Sequence, residues 1–520
     1  MRAQVIIHPL QSKGMTSEGA SSSSTPTAAR VYESEDSVSG TSRWVVGMPK
    51  DTRPYRWYAD FLLPSSALTS STSWLDILWR SKNASSGSPY FKVLRLTYSS
   101  PYSSTTTTIS ASAYFSGGTY LGAGKVHKTT VTFTDSNHIQ PSYYIPFYIE
   151  RENNASDTLN GDIEILNVVY EFDTDNSIPK QFIWIPNNAT VPDSYSYNSQ
   201  LYTPVTLTGP AGNGVWSGWN QPNNTSTYVL SSIIPPSSFN SSATLSTVFV
   251  GANGTKQENY EFYYCSFPIG TVVSSSTLPF NLAGTASWTE ISMTPIIIFA
   301  VPLTGAVAGN QQLFLKVVRS VGADSSTWAG ADLFLGASLE WTPSAQVCSL
   351  GLLGTSAAVT SSGYAANMKV SDTNSAITRN WIAFNPGKAG ASTINFTVPD
   401  NYGSEGRYKI YYTTRCPTGT AGYALLRLLT SVAGTGVVVD STIASTGILL
   451  TLYPGNSPNI MLEYIDMQLP ALLTAGSVAS LHIIRQGDTD TFPYSIDISE
   501  VLLEYSPVVT GLPTAPPQGA

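Results

Sequence analysis

Apolar residues along this chain fall in runs of about five to nine, rich in Val, Ile, Thr, Tyr and Phe. Clusters of Gly, Ser, Asn and Pro separate the runs, as in Trp74-Leu-Asp-Ile-Leu-Trp79, Thr247-Val-Phe-Val250 and Tyr408-Lys-Ile-Tyr-Tyr412. Such runs predict strands. No long segment sustains the i, i+3, i+4 spacing of an amphipathic helix. The best helix candidate runs from Leu462 to Val478, and Pro470 breaks it. The longest apolar run, Pro295-Ile-Ile-Ile-Phe-Ala-Val-Pro302, is strand-sized and bounded by prolines, far short of the ~20 residues of a membrane span.

The pattern recurs three times. Three strands close on Glu plus an aromatic: Asn167-Val-Val-Tyr-Glu171-Phe, Gly336-Ala-Ser-Leu-Glu340-Trp and Glu500-Val-Leu-Leu-Glu504-Tyr. Upstream of each, a strand stops at proline: Phe61-Leu-Leu-Pro64, Ser232-Ile-Ile-Pro-Pro236 and Phe396-Thr-Val-Pro399. The proline-to-glutamate distances are 107 (171 − 64), 104 (340 − 236) and 105 (504 − 399) residues. Between them lie Tyr148-Ile-Glu-Arg151, Lys316-Val-Val-Arg319 and His482-Ile-Ile-Arg485. An aromatic strand also recurs after the proline turn, beginning at Phe91, Tyr260 and Tyr423. Landmarks in register three times mark tandem copies of one unit.

About eight strands in each copy predict a two-sheet sandwich of jelly-roll type. The expected architecture is all-β: three tandem antiparallel β-sandwich domains with extended N- and C-terminal arms. Residues 1–43 read as an arm, with the Ser-rich part 17–42 as its flexible portion. Domains follow at 44–178, 179–345 and 346–507, with a tail at 508–520. Domain two opens on Gly209-Pro-Ala-Gly-Asn-Gly-Val-Trp-Ser-Gly-Trp-Asn220, which reads as an inserted loop carrying Trp216 and Trp219.

Composition narrows the function. The chain has 520 residues, and only 12% are charged, against about 25% in an ordinary soluble domain. Ser (70) and Thr (56) fill the gap. A hydroxyl-rich, weakly charged surface costs little to desolvate when subunits cover it. Net charge is −8, and no basic run stands out. That argues against neutralising a nucleic acid, because binding phosphates takes clustered Lys and Arg. Three widely spaced cysteines, Cys265, Cys348 and Cys416, make neither a disulfide framework nor a zinc site. The start, Met1 through Pro9, does not read as a secretory signal.

Candidate chemistry is sparse. Glycosidases need two carboxyls about 5–10 Å apart, and Glu171, Glu340 and Glu504 fall one to a domain. They read as strand-end positions facing Arg151, Arg319 and Arg485 in exposed pairs. His127 and His138 read as surface or turn residues. Gly122-Ala-Gly-Lys125 and Pro386-Gly-Lys388 resemble fragments of a phosphate loop but lack its glycine spacing and its Ser or Thr. Asp173 with Asp175, and Asp488 with Asp490, could offer oxygens to calcium but have no EF-hand loop around them, so turn residues are the default. Eight Asn-x-Ser/Thr sequons match what this composition gives by chance. Trp216 and Trp219 could stack on a sugar ring, with core or interface packing as the plainer reading. No catalytic residue, cofactor or metal is expected.

With these features the chain resembles viral capsid proteins built from tandem jelly-roll domains. The third copy, from Ser392-Thr-Ile-Asn-Phe-Thr-Val-Pro-Asp-Asn-Tyr402 to Glu504, is also similar to sandwich domains of bacteriophage virion and tail-fibre proteins. The resemblance spans about residues 44–507 as a pattern and carries over no functional residue. It implies a non-enzymatic coat protein, made in the host cytoplasm without an export signal and located in the virion. Its partners would be further copies of itself, in a shell of icosahedral type, and other virion proteins. The alternative is a phage receptor-binding fibre, spike or decoration protein that binds surface glycans through the tryptophan loop. An enzyme with auxiliary sandwich domains ranks third.

Overall fold

The computed structural model describes residues 2–7, 9, 27–35, 42–98, 109–174, 181–186, 203–207, 214–221, 227–233, 235, 239, 242–250, 257–268, 280–289, 296–304, 308–309, 311–319, 332–342, 348–351, 357–359, 365–371, 378–414, 422–439, 447–453, 461–468 and 473–508. Every element named within them is a strand. The first unit comprises β1 (Arg2–Ile7), β2 (Thr27–Ala28), β3 (Arg30–Glu35), β4 (Ser42–Met48), β5 (Tyr55–Leu62), β6 (Ser70–Arg80), β7 (Tyr90–Thr97), β8 (Ile109–Ser116), β9 (His127–Ile139), β10 (Tyr144–Arg151) and β11 (Ile163–Asp173). The second comprises β12 (Gln181–Pro186), β13 (Thr203–Leu207), β14 (Gly214–Gln221), β15 (Thr227–Ile233), β16 (Ser242–Val250), β17 (Gln257–Phe267), β18 (Asn281–Thr289), β19 (Ile296–Thr304), β20 (Gln312–Arg319) and β21 (Asp332–Trp341). The third comprises β22 (Cys348–Gly351), β23 (Ala357–Val359), β24 (Ala365–Ser371), β25 (Thr378–Phe384), β26 (Ala389–Thr397), β27 (Tyr402–Thr414), β28 (Ala424–Ala433), β29 (Ile448–Leu452), β30 (Met461–Gln468), β31 (Val478–Gln486) and β32 (Ile496–Pro507).

One topology repeats. In unit one the first sheet runs β4-β11-β6-β9 and the second β5-β10-β7-β8. Unit two has β14-β21-β16-β19 facing β15-β20-β17-β18, and unit three β25-β32-β27-β30 facing β26-β31-β28-β29. Numbered within each unit, eight strands take the order 1-8-3-6 over 2-7-4-5 every time. Each unit is a jelly roll.

The core of each unit lies between its sheets. Strand β28 shows the alternation of a half-buried strand, with Leu426 and Leu428 turned inward. Unit one packs Trp57, Phe61, Phe147 and Tyr170 in edge and tilted contacts, and unit two packs Phe249, Tyr260, Phe299 and Phe334. Strand β10 departs from alternation and is buried along its whole length. Burial on both faces means that something beyond the sandwich core covers the outer one.

The recurring arginines are internal staples. Arg151, at the end of β10, donates to both carboxylate oxygens of Asp157 (2.6 and 3.3 Å) and to the carbonyls of Met48 and Leu159. Arg485, at the end of β31, does the same to Asp490 (2.8 and 3.2 Å) and to the carbonyls of Phe384, Tyr494 and Phe492. Met48 and Phe384 are the last residues of equivalent strands, β4 and β25. Each arginine therefore ties one sheet to the other and fixes the loop beyond its own strand. Arg319 is equally buried at the matching place.

Four expectations are corrected here. First, the segment 1–43 is not simply an arm: β1, β2 and β3 lie within it and belong to the sandwich. Strand β4 pairs only with Ile163–Ile165 of β11, leaving the edge at Val168–Asp173, and β1 pairs there. An unpaired buried edge is costly, so the early chain fills it. Strands β12 and β22 occupy the same place in the other units. Strand β3, inside the Ser-rich stretch, is held by Tyr32 and Ser34 hydroxyls donating to Glu164 at 3.0 and 2.7 Å. Second, residues 209–220 are not wholly a loop. Gly214–Gln221 forms β14, which pairs with β13 and, through Trp219, Asn220 and Gln221, with β21. Val and Trp favour the strand despite the glycines around them. Third, Leu462–Gln468 lies in strand β30, so the helix candidate is half strand. Fourth, Glu171 does not face Arg151, because β11 and β10 lie in different sheets; the same holds for Glu340 with Arg319 and Glu504 with Arg485.

Candidate assembly interface

The recurring glutamates sit near the ends of β11, β21 and β32, on the outer face of each first sheet, and all three are buried. Two meet another domain. Glu340 accepts the backbone N–H of Ser65 at 2.8 Å and its hydroxyl at 2.6 Å. Ser65 directly follows Pro64, the proline landmark of domain one. Glu171 shares a hydrogen bond with Asp400, which directly follows Pro399, the proline landmark of domain three. The glutamate of one domain thus engages the proline turn of another, a pairing that no single repeat could reveal.

Apolar packing backs the first joint. Val248, Ile296 and Leu335 of domain two join the core cluster of domain one. Strand β5 approaches β12 and β21. At the second joint, Val45, Leu78, Val126 and Leu166 of domain one form one cluster with Ala433, Val439 and Val478 of domain three. Burying a Val or Leu contributes about 1.5–3 kcal/mol relative to exposure, so a cluster of this kind opposes free hinging. Backbone pairing adds to it. The amide of Val126 donates to the carbonyl of Val437 (2.9 Å), and that of Gly436 to the carbonyl of Val126 (2.8 Å). The fragment Gly122-Ala-Gly-Lys125 is part of this contact. Gly122 and Gly124 hold φ of 130° and 71°, and Lys125 bridges to Val438. Its glycines serve a turn docked on a neighbouring domain, not a phosphate.

Hydroxyls, an amide and a guanidinium make further polar contacts at the second joint. Asn167 donates to the Thr397 hydroxyl at 2.9 Å and Arg43 to the Ser480 hydroxyl at 3.4 Å, while within domain three Ser480 donates to Asn395 at 2.8 Å. The Asp400 amide approaches Gln4 of β1 at 3.4 Å.

The same joint holds Asp76, Glu171 and Asp400, whose nearest oxygens all lie within 4.8 Å of one another. Lys128 stands 2.6 Å from Asp76 and 3.9 Å from Asp400. Burial, the hydrogen bond to Asp400 and the negative charge of Asp76 and Asp400 push the Glu171 carboxyl up to about 7, with Lys128 opposing. Burial works against the Lys128 ammonium, yet Asp76 holds its pKa above the ordinary range. The cluster therefore carries its own cation and, near neutrality, its own proton. It reads as a joint whose negative charge is partly compensated from within.

The remaining candidates have structural roles where the structure describes them. His127 is buried in a stack between Trp79 (4.0 Å) and Tyr120 (5.5 Å), not on the surface; burial, with Lys125 nearby, lowers its pKa to about 4. His482 is buried against the Thr393 hydroxyl at 3.0 Å. His138 lies in β9, and its side chain is outside the described residues. Asp490 is occupied by Arg485, and Asp173 accepts from Ser70 at 3.3 Å. Asp488 lies in the exposed turn after β31. Asp175 lies outside the described residues, as do the side chains of Trp216 and Trp219. Cys265 is a buried thiol on β17.

No family model matches the chain, and no curated protein matches it. Solved structures share its architecture. One, described as the triple jelly roll fold and turret assembly in an archaeal virus, is 10% identical, covers 92% of this chain and 90% of its own, and has a TM-score of 0.17. The structure of Sulfolobus Turreted Icosahedral Virus is 10% identical with the same coverage and a TM-score of 0.16. The tandem CBM22 domains of Xyn10C from Paenibacillus barcinonensis are 8% identical over 66% of this chain and 99% of theirs, with a TM-score of 0.19. The likeness is one of β-sandwich architecture and carries no argument about function.

Proposed function

We propose that this chain is a virion structural protein, a coat protein that self-associates into a closed viral shell and has no catalytic role. The observation that carries the reading is the chemistry of the joint between domains one and three. Beside one compact charged cluster, Asp76, Glu171 and Asp400 with Lys128, it sets apolar side chains and the polar side chains of Asn167, Thr397 and Ser480 against each other on sheet faces. The same residue types dominate the whole chain, with 126 Ser and Thr and 12% charged residues. Surfaces of that kind already dock on one another within one molecule. Between molecules they would do so at low desolvation cost, because charged side chains are few along the whole chain.

The absence of a basic run fits a shell with few genome contacts. The glycan-binding alternative rests on Trp216 and Trp219 as loop residues. Both lie in the paired strand β14 rather than in an inserted loop. Sedimentation velocity over a range of concentrations tests the proposal. Large discrete species should appear as concentration rises. A monomer that persists at every concentration would contradict it, and a glycan array with hits lost in a Trp216→Ala/Trp219→Ala variant would favour the alternative.

A further inference from the structure

The two joints are the same contact made twice. The second sheet of domain three, through β26, lies against the first sheet of domain one, through β4. The second sheet of domain one, through β5, lies against the first sheet of domain two, through β21. A head-to-tail contact of this kind either closes into a ring or continues as an open helix. Applied a third time, it would set the second sheet of domain two on the first sheet of domain three.

A patch on each of those two outer faces is buried within the isolated chain. Four residues before each recurring glutamate, the strand partners are Leu78 (opposite Asn167), Val248 (opposite Gly336) and Tyr411 (opposite Glu500). Leu78 packs with domain three and Val248 with domain one. Tyr411 occupies the equivalent place and is 0% exposed, and Leu502 beside it is 1% exposed. On the opposing side, five residues before each recurring arginine stand Pro146, Phe314 and Ser480. Ser480 meets Arg43 of domain one. Phe314 is 0% exposed, and its strand partner Cys265 is 1% exposed. Both alternate with residues of the sandwich core: Leu313 and Leu315 flank Phe314, and Tyr264 precedes Cys265.

We propose that the chain closes into a ring of three jelly rolls about a pseudo-threefold axis, with Phe314 and Cys265 of domain two seated on Tyr411 and Leu502 of domain three. The ring leaves no domain face open for the same contact with a second copy. Shell contacts then fall to the rim and the two ends of the ring, which goes beyond the coat-protein reading and does not depend on it. The three glutamates differ in setting. Glu171 meets Asp400 and Glu340 meets Ser65 across their joints, whereas Glu504 pairs with Lys409 of its own domain at 2.9 Å. Lys409 stands two residues before that glutamate's level, opposite Leu502, where domain one has Asp76 and domain two Ser246.

Cys265 reports on closure. In a Cys348→Ser/Cys416→Ser background its thiol should react slowly with a soluble disulfide reagent. Tyr411→Asp, in another domain, should raise that rate by about tenfold or more, because reaction then no longer awaits a rare opening. A variant that unfolds domain three outright still exposes Cys265 only if domain three covers it. Small-angle scattering gives a second measurement: a compact chain of this length has a radius of gyration of about 24 Å, and an open string of domains a larger one. Cys265 that stays protected in Tyr411→Asp, or a scattering curve of an open string, would overturn the ring.

Discussion

Glu171 keeps its proton in the folded chain up to about pH 7, whereas an unfolded glutamate loses it near 4.5. Between those values the folded state binds more protons than the unfolded one, so this contribution to stability is full at low pH and is lost as pH rises through 7. Glu171→Gln removes the titration. Its melting temperature relative to the parent should therefore rise between about pH 5 and pH 8 in calorimetry; a constant difference would refute the role given to this carboxyl. The arginine staples make a second prediction at this scale. Arg151 and Asp157 are fully buried and bonded to each other. Arg151→Ala leaves the buried Asp157 carboxylate to Lys50 (3.2 Å) and the Leu159 amide (3.1 Å) and frees the carbonyls of Met48 and Leu159, which should cost about 3 kcal/mol in denaturant unfolding. A loss below about 1 kcal/mol, of the order of an exposed ion pair, would show the pair to be dispensable. The sequence marks Arg151, Arg319 and Arg485 as recurrent, but their partners were hidden. Asp157, Asp324 and Asp490 follow at offsets of six, five and five residues, a recurrence that lies outside the strand and proline landmarks.

Strands and turns were the most legible elements, because period-two alternation and proline stops are local properties. Pairing was less so. Glu171 and Arg151 are near in sequence, yet β10 and β11 belong to opposite sheets, and residues 20 apart (171 − 151) end on different layers. Strand β1 was illegible as part of the sandwich because its partner β11 begins 156 residues (163 − 7) beyond its end. That strand gives a third prediction. Val5 and Ile7 are buried on domain one, and each contributes about 1.5–3 kcal/mol by burial. Deleting residues 1–8 should destabilise the isolated chain by several kcal/mol in thermal unfolding. If the deletion leaves the melting temperature unchanged and alters only association, the segment is an arm after all.

For the whole molecule, the repeat in the sequence announced three similar domains but not their docking. Asp400 completes a cluster with Asp76 and Glu171 across 324 residues of chain (400 − 76), and Ser65 meets Glu340 across 275. Each landmark was visible; that a glutamate of one copy meets the proline turn of another follows only from how the copies pack. A chain rich in hydroxyls and poor in charge, whose sheets dock face to face, is the basis for reading it as a coat protein. Negative-stain electron microscopy of the purified full-length protein tests that most directly. The account predicts uniform closed particles; a field of single compact molecules at high concentration, or of shapeless aggregates, would contradict it.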